Sequence, residues 1–210
     1  KARWSDDKRD INWPATLSLI QAIVSSPTFR ADLAADQAEG ELSVHWVVSD
    51  IADLLKSASG TERHLPPELH KSCLQVLRLV LDATTPAEAG QSNDAVSHAI
   101  NSPRGRALES FIHLALAMRR EEVAAKSDSG ETWVVVGAVF DAELATSESG
   151  LNADFSAMAG MYCANFHYLN SQWTEVNFDR LFSSTSEAAW RCAAQGFAYQ
   201  RQMYDWLFNR

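Results

Sequence analysis

Asp6, Asp7 and Asp10 form an Asp-Asp-x-x-Asp run. Carboxylates on one helix face can collect Mg²⁺ for a diphosphate, so this run is the first place to look for chemistry. The histidines come next: His45, His64, His70, His98, His113 and His167. A helix-borne zinc site wants two ligands at i and i+4 with a third nearby, and no two of these histidines are four apart. His64 and His70 flank Pro66-Pro67 with Glu68 between them, at no standard ligand spacing. His113 and His167 lie in apolar surroundings and read as core histidines with one hydrogen-bond partner each. Cys73, Cys163 and Cys192 are far apart and form no Cys-x-x-Cys pair. They read as free core thiols of a reducing compartment, which points to the cytoplasm. Phosphate-loop, dinucleotide and nucleophile-elbow patterns are all missing from the sequence. The expectation is a chain with no catalytic residue, no cofactor and no metal ion.

Two further segments bear on chemistry. Asn93 to Asn101 is similar to the second magnesium motif of the all-α terpenoid synthases, but Asn101 stands where the final carboxylate should be. A magnesium-dependent all-α enzyme is therefore the weakest of the readings. Arg104 and Arg106 flank Gly105 near a helix start, where free backbone N–H groups also point outward. An anion or an acidic partner could dock on the two arginines. The competing reading has them cover the helix hairpin and pair with Glu109 or a neighbouring loop.

Charge and composition narrow the classes. The 210 residues carry a formal charge of −9, so approach to a phosphate backbone is repulsive and nucleic-acid binding is disfavoured. Apolar residues make up 46% and charged residues 21%, the balance of a chain that buries a core. No apolar run approaches the ~20 residues of a membrane helix, so no membrane partner is expected. Lys1 is no initiator, and the last residues stop inside an amphipathic pattern, so the chain reads as a fragment of a larger protein.

The elements that must position these residues are all helical. Pro14, Pro27, Pro66-Pro67 and Pro103 each stand at or near a helix start, with Asn12 and Ser102 as caps. Apolar stripes follow: Leu17, Ile20 and Val24; Trp46, Ile51, Leu54 and Leu55; Cys73, Val76, Leu77 and Val80; Leu108, Phe111, Ile112 and Leu114. Trp133 to Val136 has strand-like composition, but Trp133, Val136, Phe140 and Leu144 keep helical spacing. One helix is expected after Gly150, and a last one carries Trp190, Ala193 and Phe197. Nine or ten short helices with polar loops suggest an all-α array of stacked antiparallel hairpins, an α-solenoid of TPR- or HEAT-like kind. A bundle is the alternative arrangement. The array spans 1–210, with a possible sub-boundary near 84–94, where Ala87 to Ser92 reads as a flexible connector.

Aromatics crowd the second half, more than one apolar stripe can bury. Tyr168 and Tyr199 lie beside stripes already full, which makes them candidate anchors for a protein partner.

Two blocks resemble a known family. Asn101-Ser102-Pro103-Arg104-Gly105-Arg106-Ala107-Leu108-Glu109-Ser110 is one. Leu181-Phe182, followed by Glu187-Ala188-Ala189-Trp190 and on through Gly196-Phe197-Ala198-Tyr199, is the other. Together they resemble the C-terminal helical arrays of bacterial antiviral STAND-type NTPases and of some sirtuin-domain defence proteins. The resemblance implies a sensor segment that carries no chemistry and wraps a viral protein such as a terminase or portal subunit. A general helical scaffold or adaptor is the alternative.

Overall fold

The computed structural model describes residues 11–35, 43–60, 65–91, 93–127, 130–183, 185–200 and 204–209. These form twelve α-helices and no strand. In chain order they are α1 (Trp13–Ser25), α2 (Pro27–Ala35), α3 (Val44–Ala58), α4 (His70–Ala83), α5 (Ala95–Asn101) and α6 (Pro103–Ala124). Then follow α7 (Glu131–Glu148), α8 (Ala153–Met161), α9 (Cys163–Leu169), α10 (Ser171–Val176), α11 (Phe178–Leu181) and α12 (Glu187–Phe197). Short 3-10 turns cover Pro67–Leu69 and Asp205–Asn209.

Local chemistry starts most of these helices. A helix leaves its first N–H groups unpaired, and a short polar side chain just before it can accept from them. Asn12, Ser43, Asp94, Ser102, Asn152, Asn170 and Ser186 do so for α1, α3, α5, α6, α8, α10 and α12. Ser102 accepts from Gly105 N–H at 2.9 Å, the cap expected before Pro103. Trp133 to Val136 lies inside α7, so helical spacing decided over β-propensity. The single helix expected after Gly150 is broken at Tyr162 into α8 and α9.

The longest helix, α6, is the centre of the packing. It contacts α3, α4, α5, α7, α8 and α9. The closest pairing in the fold joins α8 to α12, and α1 packs on α4. Phe111, Phe140, Phe155 and Phe166 are fully buried and link α6 to α9. Phe140 meets Phe111 at 5.5 Å and Phe166 at 4.8 Å between centroids, both edge-to-face, the favourable aromatic geometry.

Three expectations are corrected. The segment after Thr84 is not a loose connector: Ala87 N–H donates to Asp154 at 3.2 Å and Ala89 N–H to Gly150 O at 2.8 Å, while Ala87 O accepts from Ala153 N–H at 2.7 Å. Trp46 and Trp190, placed on core stripes by their spacing, are 63% and 50% exposed. Finally, the charged run Arg119-Arg120-Glu121-Glu122, whose composition suggests a turn that ends the helix, is itself helical, and α6 continues to Ala124.

Candidate functional site

Arg104 is withdrawn from the surface, contrary to the expectation that it docks a partner. It sits in the first turn of α6, which α4 and α7 enclose, and the guanidinium is buried. Nη2 donates to both carboxylate oxygens of Glu143 at 2.6 and 2.7 Å. Nη1 donates to the Leu81 and Thr84 carbonyls at 2.7 and 2.9 Å. Asn152 completes the set, donating to Glu143 at 2.7 Å while its oxygen caps α8. The planar guanidinium thus divides its donors, Nη2 to the carboxylate and Nη1 to the end of α4, and the result is a structural clamp between α4, α6, α7 and α8. Arg106 is half-buried and pairs with Asp53 of α3. The partner foreseen for these arginines, Glu109, is taken by Lys56 and Tyr162 instead.

Those last residues form a second polar assembly. Lys56 Nζ lies 2.7 Å from Glu109, and Tyr162 O–H donates to Glu109 at 2.6 Å. His113 Nε2 lies 3.2 Å from the Tyr162 oxygen. The tyrosine proton is committed to the carboxylate, so the hydrogen on this contact belongs to His113 Nε2. Burial opposes the charge on Glu109, but the hydrogen bonds from Lys56 and Tyr162 and the Lys56 charge outweigh it and hold the carboxyl below its usual range. Burial, then the charges of Lys56 and Arg120, push His113 below its usual value. Burial and the bond to Glu109 push Tyr162 up. The tyrosine is thus neither a base nor a nucleophile near neutral pH. An open cleft of about 480 Å³ lies over this assembly, lined by Asp53, Lys56, Ser57, Ser59, Gly60, His113 and Arg120.

The remaining candidates resolve as follows. Asp6, Asp7, Asp10 and His64 lie outside the described residues. Asp94 caps α5, accepting from Ser97 N–H at 2.8 Å and Ser97 O–H at 2.6 Å, so the magnesium-like segment is a capped helix. Among the described residues no three His, Cys, Asp or Glu converge as metal ligands. His70 is buried beside Glu121 at 3.4 Å, and His167 stacks on Trp206 with centroids 4.1 Å apart. The three cysteines are buried. Burial pushes the Cys73 and Cys163 thiols up to about 12, which suppresses the reactive thiolate.

Tyr168 and Tyr199 are exposed, as their flanking positions suggested, on α9 and just past α12. A surface that spacing had not singled out lies on α7. Val134, Val135, Ala138, Ala142 and Ala145 all face outward, and Val134 is 81% exposed. Asp141 is the charged side chain among them, and it accepts from Trp173 Nε1 at 2.7 Å. The signal was present in the sequence: α7 carries apolar residues on more than one side, Val134 and Val135 as well as Val136, Val139 and Phe140, more than a single buried stripe accounts for.

The chain matches no protein-family model, no curated protein and no solved structure.

Proposed function

We propose that this chain is a non-catalytic helical module that recognises a protein. The observation that carries this reading is the largely apolar outward face of α7, where Val134 and Val135 are exposed beside Ala138, Ala142 and Ala145. Exposed valines in a row release apolar area on contact, roughly 25 cal/mol per Å² removed from water. Tyr168, Trp190 and Tyr199 add exposed rings of the type that anchors protein interfaces. The negative charge of the chain weighs against a nucleic-acid partner. No described helix is long and apolar enough to cross a membrane.

The specific form of the proposal is the sensor segment of a cytoplasmic bacterial antiviral protein, part of a longer α-solenoid, with a terminase or portal protein as its target. Its support is the resemblance of the Asn101–Ser110 and Leu181–Tyr199 blocks to such arrays. The general form is a scaffold or adaptor with an unrelated partner. Immobilised chain, presented with purified phage terminase and portal proteins, separates the two. Capture that is lost on Val134→Glu, Tyr168→Ala or Tyr199→Ala, with melting unchanged, supports the sensor. No capture of either protein ends the antiviral form. Capture indifferent to all three substitutions ends the assignment of the surface.

A further inference from the structure

The cleft over His113 combines three features that are independent of the α7 surface and of the protein-recognition reading. The first is local charge. Lys56 is matched by Glu109 and Arg106 by Asp53, so both carboxylates at the cleft are neutralised. Arg120, exposed on α6, makes no ion pair among the described residues. Among the described residues the cleft therefore holds one net positive charge, on a chain whose total is −9.

The second feature is the end of α3. A helix C-terminus carries partial negative charge on its last carbonyls, which would repel an anion. Here the oxygens of Lys56, Ser57 and Ala58 all accept hydrogen bonds. Leu54 O accepts from Ser57 O–H at 2.7 Å, and Lys56 O accepts from Ser59 O–H at 2.7 Å. Ser57 O accepts from Gly60 N–H at 3.2 Å, and Ala58 O from Leu65 N–H at 3.1 Å. The helix end is quenched by its own loop.

The third feature is the histidine tautomer. His113 spends Nε2–H on Tyr162, whose own proton goes to Glu109. This leaves Nδ1 as a lone pair on a ring that lines the cleft. Protonation turns Nδ1 into a second donor without breaking the Tyr162 bond. Burial first, then the charges of Lys56 and Arg120, disfavour that proton, and Glu109 favours it. An anion beside Arg120 offsets the Arg120 part of that opposition and adds a negative charge that favours the proton.

We propose that this cleft binds a small oxyanion, a carboxylate or a phosphate, paired with the Arg120 guanidinium and with a His113 that takes up a proton as the ligand arrives. Among the described residues, Asp53, Lys56, Arg106, Glu109, Arg120 and Tyr162 are the charged or titratable groups around the ring, from α3, α6 and the α8–α9 junction. The cleft volume of about 480 Å³ admits a molecule larger than the anionic group alone.

Inorganic phosphate and acetate serve as probes, titrated separately at constant ionic strength with chloride as the balancing ion. The readout is calorimetric binding for the wild type and both variants, with the His113 ring resonance followed as well wherever the histidine is present. The expected result is a saturable shift with at least one probe, and the stronger of the two identifies phosphate or carboxylate as the ligand group. Affinity should fall about tenfold or more in Arg120→Gln, the loss of a charged hydrogen bond at ~1.5–3 kcal/mol. After allowance for the probe's own protonation, it should rise as pH falls through the His113 titration in the wild type, whereas in His113→Gln, whose amide can still donate to Tyr162, only the probe's own titration should remain. Arg120 is exposed, so its variant should melt with the wild type. A linear, unsaturable response to both probes, or saturation that survives Arg120→Gln, overturns the proposal. Binding with the same pH dependence in His113→Gln overturns the role of the histidine.

Discussion

Gly160 of α8 and Gly196 of α12 each lie against the backbone of the other's helix. A Cβ on Gly160 would fall 1.9 Å from Ala193 O, and one on Gly196 would fall 2.0 Å from Ala157 O. The contacts are with backbone atoms, so no side chain can swing away. Ala normally gains up to ~1 kcal/mol over Gly inside a helix. At this crossing the sign reverses: Gly160→Ala and Gly196→Ala should each cost about 1–3 kcal/mol or more, the range for overpacking. Gly105→Ala should behave alike, because its Cβ would lie 1.9 Å from Ala99 O. Urea unfolding of the three variants is the check, and a raised midpoint in any of them contradicts the packing.

The Arg104–Glu143 clamp should be costly to break from one side. Removing one member of a buried pair strands the other's charge, at about 3–5 kcal/mol. Arg104→Met and Glu143→Leu should therefore each destabilise strongly. The double variant should lose less than the two losses together, with a coupling of ~0.5–3 kcal/mol. Additive losses would mean that the arginine acts mainly through the Leu81 and Thr84 carbonyls.

Stability should fall on the acid side in two stages. His113 is pushed below its usual value of 6.5 in the fold, so the unfolded chain takes up the proton first. Its contribution is complete above about pH 6.5 and is lost as pH falls toward the folded value. Glu109 is also held below its usual value of 4.5, so its contribution is lost at lower pH still. On the alkaline side Tyr162 is pushed up, and its contribution fades as pH rises above the usual value of 10. Melting temperature against pH should show these limbs, and His113→Gln should remove only the first. An unchanged first stage in that variant would assign it to another group.

Thiol reactivity should report unfolding. Cys73 and Cys163 are fully buried, with thiols pushed up to about 12. Cys192 is buried too, but it lines a second cleft, of about 340 Å³, beside Gly90 and Arg191. A thiol reagent on native protein should label Cys192 first and slowly, and all three quickly in denaturant. Rapid native labelling of Cys73 or Cys163 would contradict the packing of α4 or α9.

Much of the helix pattern was legible because its causes are local. Ser102 before Pro103 caps α6 whatever surrounds it, and Pro14 sits in the first turn of α1 for the same reason. Gly105 was legible as a close approach, since a glycine near the start of a strong helix costs stability unless something needs the space. Exposure was harder to read. Trp46 and Trp190 fit their stripes by spacing, yet they are exposed, because spacing along a helix does not say which face a neighbour covers. Tyr162 looked like one more position in a long helix, but it caps α8, starts α9 and turns its hydroxyl to Glu109.

The sequence by itself determined the helices, their caps and the overall acidity, since each depends on residues within a few positions of one another. The tertiary structure alone decided that Arg104 meets Glu143, 39 positions away, and that Tyr162 meets Glu109, 53 positions away. It also decided that α7 leaves Val134 uncovered while α8, equally apolar, is enclosed. Periodicity tells which residues share a face of a helix. It does not tell which other face will come to lie against it, because that depends on how α6 gathers its neighbours across the whole chain.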